Sequence, residues 1–458
     1  MATLAYLALG SNLGDRHANL IAAIDRLRAR VRLIDLSAMY ETEPWGVADQ
    51  PRFLNAACAI ETDLPPRDLL ALLKSIETEL GRAPGPRYGP RLIDLDLLLH
   101  GAAVVDEPDL RVPHPGLPER AFVLAPLAEI APEALHPALG VSIRELAARA
   151  DAQGVVKWAH RPTIAGDRVF HWGRQTYVMG IVNVTPDSFS GDGVLARGGS
   201  VAEGAVAQAR QMLADGAHLI DVGGESTRPG AAPIDGEEER RRVLPVVEAL
   251  ARAGLGPISI DTYRGETARA ALDAGASIVN DVWGLRRDEA LAPLAAGRDA
   301  PVIVMHNRSR PQDAAFEARL GPRYVGATYD DLLADVVREL AASIEIARRA
   351  GVAEQRIIVD PGIGFGKTVE QNLELLDRTD ALKALGKPIL VGPSRKSFIG
   401  YTLDAPPDQR LEGTAAAVAI AIARGADMVR VHDVAAMARV ARMTDAIVRG
   451  EWRVRSDG

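Results

Sequence analysis

One cysteine, Cys58, in 458 residues leaves no partner for an intrachain disulfide, and cysteine usage this sparse fits a reducing compartment. No apolar run approaches the roughly 20 residues of a membrane-spanning helix. Lysine and arginine are nowhere massed and the net charge is −8, so the electrostatic footprint of a nucleic-acid binder is missing. Low-complexity tracts are missing too. The opening stretch Met1–Asp15 has a short apolar run with no basic segment ahead of it and no small-residue cleavage site. It reads as a first strand, not a signal peptide. These exclusions leave a soluble, cytoplasmic globular protein as the expectation, in keeping with apolar and charged fractions of 47% and 25%. At 458 residues the chain is too long for one ordinary core, and two domains are expected.

The stretch richest in chemistry is Met179–Gly193, MGIVNVTPDSFSGDG. An apolar run, Val178–Val184, breaks into a loop carrying Asn183, Thr185, Asp187, Ser188 and Ser190, as a barrel strand does at its catalytic face. Similar runs return at Leu219–Gly224, Ile258–Thr262, Ile278–Val282, Val302–His306, Ile357–Gly362, Ile389–Ser394 and Met428–Asp433. Amphipathic segments such as Val201–Gly216, Glu237–Gly254, Tyr329–Gly351 and Leu411–Gly425 lie between them. Eight strand–helix units in about 280 residues is the size of a TIM (β/α)8 barrel. A doubly wound open sheet has the same periodicity. The count, and polar residues at nearly every strand end, favour the barrel.

Ahead of it, Thr3–Leu9, Val31–Glu41, Phe53–Thr62 and Leu92–Leu99 read as strands, with His17–Arg30 and Pro66–Leu80 as helices. That βαββαβ order is the α+β ferredoxin-like arrangement, which hosts many functions. Asp94 and Asp96 lie two apart on a strand, so both carboxylates leave the same face. Neighbouring carboxylates repel unless a divalent ion or shared proton neutralises them, and Mg²⁺ takes one or two carboxylates plus water and phosphate oxygens. Taken alone, such a pair is more often a solvated strand face. Arg82, Arg87 and Arg91 around it shift the balance, because arginine matches phosphate.

Five segments in order, GSNLGD (10–15), YETEPWG (40–46), QPRFLN (50–55), GPRLIDLDLLLHG (89–101) and VPHPGLPERAFVLAPLAEIAP (112–132), together resemble 6-hydroxymethyl-7,8-dihydropterin pyrophosphokinase. The resemblance covers residues 1 to about 150. It implies that Asp94 and Asp96 hold two Mg²⁺ ions bridging ATP, with Arg82, Arg91, His114 and Arg120 on its phosphates. Phe53 and Phe122 would sandwich a pterin, with Asn55 and the backbone near Thr42 reading its edge. A flat heteroaromatic held by stacking and a few polar groups is sound chemistry. Tyr88 stands where many members have Trp, Asp109 where some have Arg, and the loop Ala83–Pro86 is short of basic residues. His17, His100, His136, His160, His171 and His218 have no companion motif and read as structural histidines.

Periodicity weakens over Asp151–Gln175, placing a domain boundary near residue 160: a domain over 1–160, then one over 161–458. GIGFGKT (362–368) imitates a P-loop but is one residue short, with Pro361 where glycine is needed. The barrel loops MGIVNVTPDSFSGDG, DVGGESTRPGA (221–231), SIDT (259–262), VNDVWG (279–284), DPGIGFGK (360–367), GPSRKSFIG (392–400) and RVHD (430–433) together resemble dihydropteroate synthase. That enzyme joins 4-aminobenzoate to the pterin pyrophosphate which the kinase makes. The resemblance implies that Asp261, Asn280, Asp360 and Lys396 bind the pterin edge and Arg430 stacks on its face. Asn183 would help hold Mg²⁺, and Thr227, Arg228 and His432 would grip pyrophosphate. Phe365, Pro229, Lys396 and Ser397 would form the 4-aminobenzoate pocket beneath loops carrying Phe189 and Thr227. A homodimer through the barrel helices is implied as well. Asp281 reads as a cap, Glu225 as a loop brace and His306 as a satisfied core residue. The rivals are a folate-dependent methyl-transferring barrel, which would have no pyrophosphate for STRPG and SRKS to hold, and a non-catalytic pterin-binding scaffold.

Overall fold

The computed structural model describes residues 2–45, 49–83, 89–158, 160–173, 175–185, 200–226, 233–325 and 328–449. The chain divides into two units, Met1–Pro162 and Thr163–Gly458. The first begins with β1 (Thr3–Ser11), α1 (Arg16–Arg28), β2 (Arg32–Leu36), β3 (Tyr40–Thr42), β4 (Phe53–Thr62), α2 (Pro66–Glu79) and β5 (Asp94–His100). The sheet runs β5–β1–β4–β3, with β2 also on β4, and these pairs are antiparallel. That is the ferredoxin-like arrangement. Helix α1 starts where the Asp15 carboxylate accepts the Ala18 N–H, and it buries Leu20, Ala23, Ile24 and Leu27. Helix α2 begins on Pro66 and buries Leu69, Leu73 and Ile76; a proline in the first turn loses only an N–H with no intrahelical acceptor.

One expectation needs correcting. The single strand expected over residues 31–41 is two strands. Between them the Ser37 hydroxyl accepts the Ala57 N–H and Ala38 N–H donates to Glu129. Side chains take up part of the pairing there beside one backbone bond, from the Ser37 N–H to the Ala57 carbonyl at 2.9 Å, and Leu36, Ser37, Ala38 and Met39 stay buried across the break. Beyond β5 come the hairpin β6 (Val105–Glu107) and β7 (Leu110–Val112), then α3 (Ala121–Ile130), α4 (Ile143–Arg149) and β8 (Val156–Lys157), which returns to β3.

The second unit opens with a hairpin, β9 (Thr163–Ala165) and β10 (Arg168–Phe170). The weak periodicity there conceals a plug. Phe170 and Trp172 pack with Met179, Leu219, Ile278, Ile303, Ile358, Leu390 and Met428 from the strand starts, and the Trp172 indole donates to Thr163 Oγ1 at 3.0 Å. Next follow β11 (Tyr177–Asn183), α5 (Val201–Ala214), β12 (Leu219–Gly223), α6 (Gly236–Arg252), β13 (Ile258–Asp261), α7 (Gly265–Asp273), β14 (Ile278–Asp281), α8 (Leu291–Gly297) and β15 (Val302–Met305). A second hairpin, β16 (Ala314–Glu317) and β17 (Gly321–Tyr324), is unannounced by the periodicity and precedes α9 (Leu332–Arg349) and β18 (Ile357–Asp360). The unit ends with α10 (Val369–Asp377), β19 (Leu390–Val391), α11 (Ser397–Leu403), α12 (Leu411–Ala423), β20 (Met428–Val431) and α13 (Val434–Arg449).

Eight strands pair in the order β18–β15–β14–β13–β12–β11–β20–β19, and a parallel bridge from Val359 to Ile389 joins the two ends. Closure decides for the barrel over the open sheet. Its strands are almost entirely buried, as parallel strands covered on both faces must be. The polar strand ends gather at the C-terminal rim.

Candidate active sites

In the first unit, Leu95 and Leu97 of β5 are buried, and Asp94 and Asp96 leave the opposite face. Arg82 donates to Asp94 at 2.7 Å and Arg91 at 3.1 Å. Among the described residues Asp96 takes no such partner, and its carboxyl is pushed above the usual range, first by burial and then by the charge of Asp94. A divalent cation would relieve both causes. Among the described residues no group of three metal-type ligands occurs. The donor set is therefore a carboxylate pair, suited to a hard cation that completes its shell with water and phosphate rather than to a protein-caged metal.

The cleft over this pair is lined by Thr42, Phe53, Asn55, Arg91, Asp94, Asp96, His114, Arg120 and Phe122. Arg82 reaches it through Asp94. The Asn55 amide donates to Thr42 Oγ1 at 2.8 Å, which fixes its orientation and turns its oxygen toward Gly10. A Cβ at Gly10 would stand 2.9 Å from that oxygen, so the position excludes a side chain. His114 is pushed down to about 4 by burial and then by Arg120, so it is neutral near pH 7. The Arg120 guanidinium lies 5.0 Å from the Trp45 ring centre and 5.8 Å from that of Phe122. Sequence reasoning gave no role to three residues here. Trp45 lines the cleft. Glu77 is buried beneath Asp94, accepts the Leu95 N–H at 2.7 Å and pairs with Arg82. Asn12 ties the loops together by bonding Arg91, Gln50 and Pro51. Buried Glu and Asn were the available signal, but burial is not visible in one sequence.

At the barrel rim, Arg430 donates to Asp221 at 2.6 Å and to Asp261 at 2.7 Å. Asn280 joins the cluster by donating to Asp221 at 3.3 Å. Burial pushes Asp261 up to about 7, against the pull of Arg430. Burial also pushes Asp360 up to about 6, countered by the Gly362 N–H, Lys396 and Arg430; that N–H lies 2.7 Å from Asp360 Oδ1. The Lys396 ammonium sits 4.0 Å over the Phe365 ring centre, and Ser397 opens α11 beside it. His432 meets the Ser394 hydroxyl through its backbone N–H at 3.1 Å and through Nδ1 at 3.0 Å. Asn183 ends β11, level with Gly223 of β12.

The structure thus gathers Asp261, Asn280, Asp360, Lys396, Phe365, Arg430 and His432 at strand ends of one rim. Phe189, Thr227, Arg228 and Pro229 lie outside the described residues, as do Arg87 and Tyr88. Asp281 accepts the Trp283 and Leu285 N–H groups at 2.8 and 2.6 Å, Glu225 pairs with Arg264 at 2.6 Å, and His306 is buried. Asp109 is engaged by Arg67 at 2.8 Å. Asp221, Ser394 and Lys367 were not singled out from sequence, although Asp221 interrupts an apolar strand and Lys367 is almost wholly buried.

An α+β unit with a carboxylate pair in an aromatic cleft and a closed barrel with a charged rim define a two-domain chain with a candidate ligand site in each domain. Residues 179–432 match the pterin binding enzyme family, and residues 6–132 match 7,8-dihydro-6-hydroxymethylpterin-pyrophosphokinase. A folic acid synthesis protein of Schizosaccharomyces pombe is 40% identical over 97% of this chain, which spans 59% of that protein's length. A mitochondrial folate synthesis bifunctional protein of Pisum sativum is 38% identical, covering 97% of this chain and 89% of its own. A Xanthomonas albilineans dihydropteroate synthase structure with 4-aminobenzoic acid is 41% identical over 62% of this chain and 97% of its own, with a TM-score of 0.56. The chain belongs to the bifunctional folate-synthesis family, in which a pterin pyrophosphokinase domain precedes a pterin-binding barrel.

Proposed function

We propose that residues 1–160 transfer pyrophosphate from ATP to 6-hydroxymethyl-7,8-dihydropterin, releasing AMP, and that residues 161–458 condense the product with 4-aminobenzoate to 7,8-dihydropteroate and pyrophosphate. The observation that carries this reading is the pairing of two differently built polar sites on one chain. One offers neutral edge-readers and aromatic faces beside a carboxylate pair; the other offers buried carboxylates around one arginine.

In the kinase, Phe53 and Phe122 stack the pterin while Asn55 and Thr42 orient it. Arg82, Arg91, Arg120 and neutral His114 contact the nucleotide phosphates. Asp94 and Asp96 here, and Asn183 in the barrel, would hold Mg²⁺, which would supply neutralisation of phosphate charge. In the synthase, Asp360 accepts the pterin's adjacent ring N–H and amino donors as a bidentate pair, with Asp261, Asn280 and Lys396 on the same edge. Arg430 lies against its face. The C–O bond to pyrophosphate breaks with its electron pair on the leaving group, which Thr227, Arg228 and His432 receive. The amine lone pair of 4-aminobenzoate forms the new C–N bond and its proton passes to solvent or pyrophosphate. No strong base is needed. Phe189, Pro229, Phe365, Lys396 and Ser397 hold the 4-aminobenzoate and exclude competing water.

A homodimer through the barrel helices is part of the reading. Ile420 of α12 and Met443 and Ile447 of α13 are exposed at 47%, 63% and 70%, the kind of apolar surface that an interface covers. Among the described residues no helix is long and apolar enough to cross a membrane. A cytoplasmic location is proposed on the lone, buried Cys58.

The test is one coupled reaction with the full chain, 6-hydroxymethyl-7,8-dihydropterin, ATP, Mg²⁺ and labelled 4-aminobenzoate, followed for AMP and dihydropteroate. Both products are expected. AMP alone overturns the synthase assignment. Dihydropteroate formed only from supplied pterin pyrophosphate overturns the kinase.

A further inference from the structure

The loop after β18 is built around its own lysine. Gly362, Gly364 and Gly366 take φ of +70°, +81° and +61°, a left-handed path that glycine follows without strain. The path folds carbonyls inward onto Lys367. Its Nζ donates to Gly362 O at 2.9 Å and Phe365 O at 3.0 Å, and it lies 3.0 Å from His306 Nδ1. An ammonium has three protons, and here it finds three acceptors. His306 is held neutral, pushed down to about 4 by burial and by Lys367, and its Nε2 lies 3.2 Å from Glu339 Oε2. The outer side of the loop is tied by Tyr329, whose hydroxyl donates to Gly366 O at 2.9 Å, and by Asn372, which accepts the Gly364 N–H at 2.6 Å. There is no slack. A Cβ at Gly362 would fall 1.9 Å from His306 O, and one at Gly366 would fall 2.4 Å from the Arg308 carbonyl carbon. The product of this wrapping is the pose of Phe365, face-on to Lys396.

We propose that Lys367, seated against His306 Nδ1, is a positioning residue for the 4-aminobenzoate pocket: an internal cation that shapes the Gly362–Gly366 loop and so aims Phe365. The inference rests on the synthase reading above, which puts 4-aminobenzoate against Phe365 and Lys396. Lys367 touches neither pterin nor pyrophosphate in this scheme, so its loss falls chiefly on the 4-aminobenzoate pocket. Burial pushes Lys367 down to about 7, with Asp360 and Glu339 pulling up and Arg308 and Lys396 pushing further down. His306 is uncharged in that range. Above about pH 7 the amine therefore keeps two protons for three acceptors, and the loop loosens.

The experiment uses the full chain with supplied pterin pyrophosphate, titrating 4-aminobenzoate against Lys367→Met, Lys367→Gln and the unmodified protein. The variants are expected to raise KM for 4-aminobenzoate about tenfold or more while KM for pterin pyrophosphate stays within about twofold. Equal losses for both substrates, or an unchanged 4-aminobenzoate KM in a folded variant, overturn the proposal. If neither variant folds, the unmodified protein decides. A 4-aminobenzoate KM that rises severalfold from about pH 6 to about pH 9 with a midpoint near that of Lys367 supports it, and a flat profile overturns it. If the unmodified protein makes no dihydropteroate at all, the synthase reading has failed instead.

Discussion

The two sites balance charge in opposite ways. In the first unit the carboxylates face a cleft, Asp94 is shared by two partly buried arginines, and among the described residues Asp96 has no ion-pair partner of its own. At the barrel rim Asp221 and Asp261 are already paired with Arg430. In the proposed reading a cation and a nucleotide complete the first site, while the second brings its own counter-charges and reads a neutral ring with them. A site completed by its ligand sits on a fold that does not need the site. A site completed by its own side chains is part of the core, and the two functions should therefore fail differently under mutation.

The sharpest contrast comes from removing one carboxylate on the open side. Asp94→Ala is expected to lower AMP formation by about 10³-fold, on the order of 4 kcal/mol of transition-state stabilisation. The unfolding midpoint should barely move. Arg82 keeps its pairing with Glu77, and deleting a carboxylate beside Asp96 relieves repulsion. Synthase turnover with supplied pterin pyrophosphate is unaffected. A folded variant that still forms AMP at the parent rate would remove the metal role from Asp94 and with it this half of the comparison.

On the closed side the effect is smaller in rate terms and falls on stability as well. Arg430→Met strips the counter-charge from Asp221, which is fully buried, and from Asp261. Breaking such a pair typically costs about 3 kcal/mol, and synthase activity falls with it by about 10²-fold. Calorimetry should show the barrel melting earlier while AMP formation by the first unit persists. An Arg430→Met protein that melts like its parent would show that the rim is not self-balanced.

How much of this was legible beforehand follows the same division. The barrel could be read because eight apolar runs each end in polar residues, and closure only decided between two arrangements with that period. The carboxylate pair on β5 could be read because a two-residue step fixes the face. What stayed hidden was whatever depends on the third dimension. The β9–β10 plug is short and interrupted by glycine, so the sequence showed only a weakening of periodicity at the domain boundary, although Trp172 is buried under the barrel. Asp221 looked like one more residue of a motif until its contact with Arg430, which is 209 positions away in the chain. Lys367 posed as part of a false phosphate loop. Its three acceptors come from two backbone carbonyls and a histidine 61 residues upstream, and no spacing rule joins them.

The gentlest test compares how each site reads the same pterin. Asn55 and Thr42 do not titrate, so pterin affinity at the first site should be flat from about pH 5 to about pH 7. Asp360 does titrate, with its carboxyl pushed up to about 6. Below that value it is protonated and keeps one plain acceptor oxygen for two ring donors; above it both oxygens accept. Affinity at the barrel should therefore rise with pH, by about tenfold across the two units centred on 6. Asp261, pushed up to about 7, extends the rise rather than reversing it, because its ionised form is the one that holds Arg430. Each site can be isolated in the full chain, the barrel by Asn55→Leu and the kinase by Asp360→Asn, and followed by pterin fluorescence. A flat barrel profile would mean that Asp360 is not the group on the pterin edge. A rising kinase profile would mean that a titrating neighbour, and not the Asn55 amide, reads the ring there.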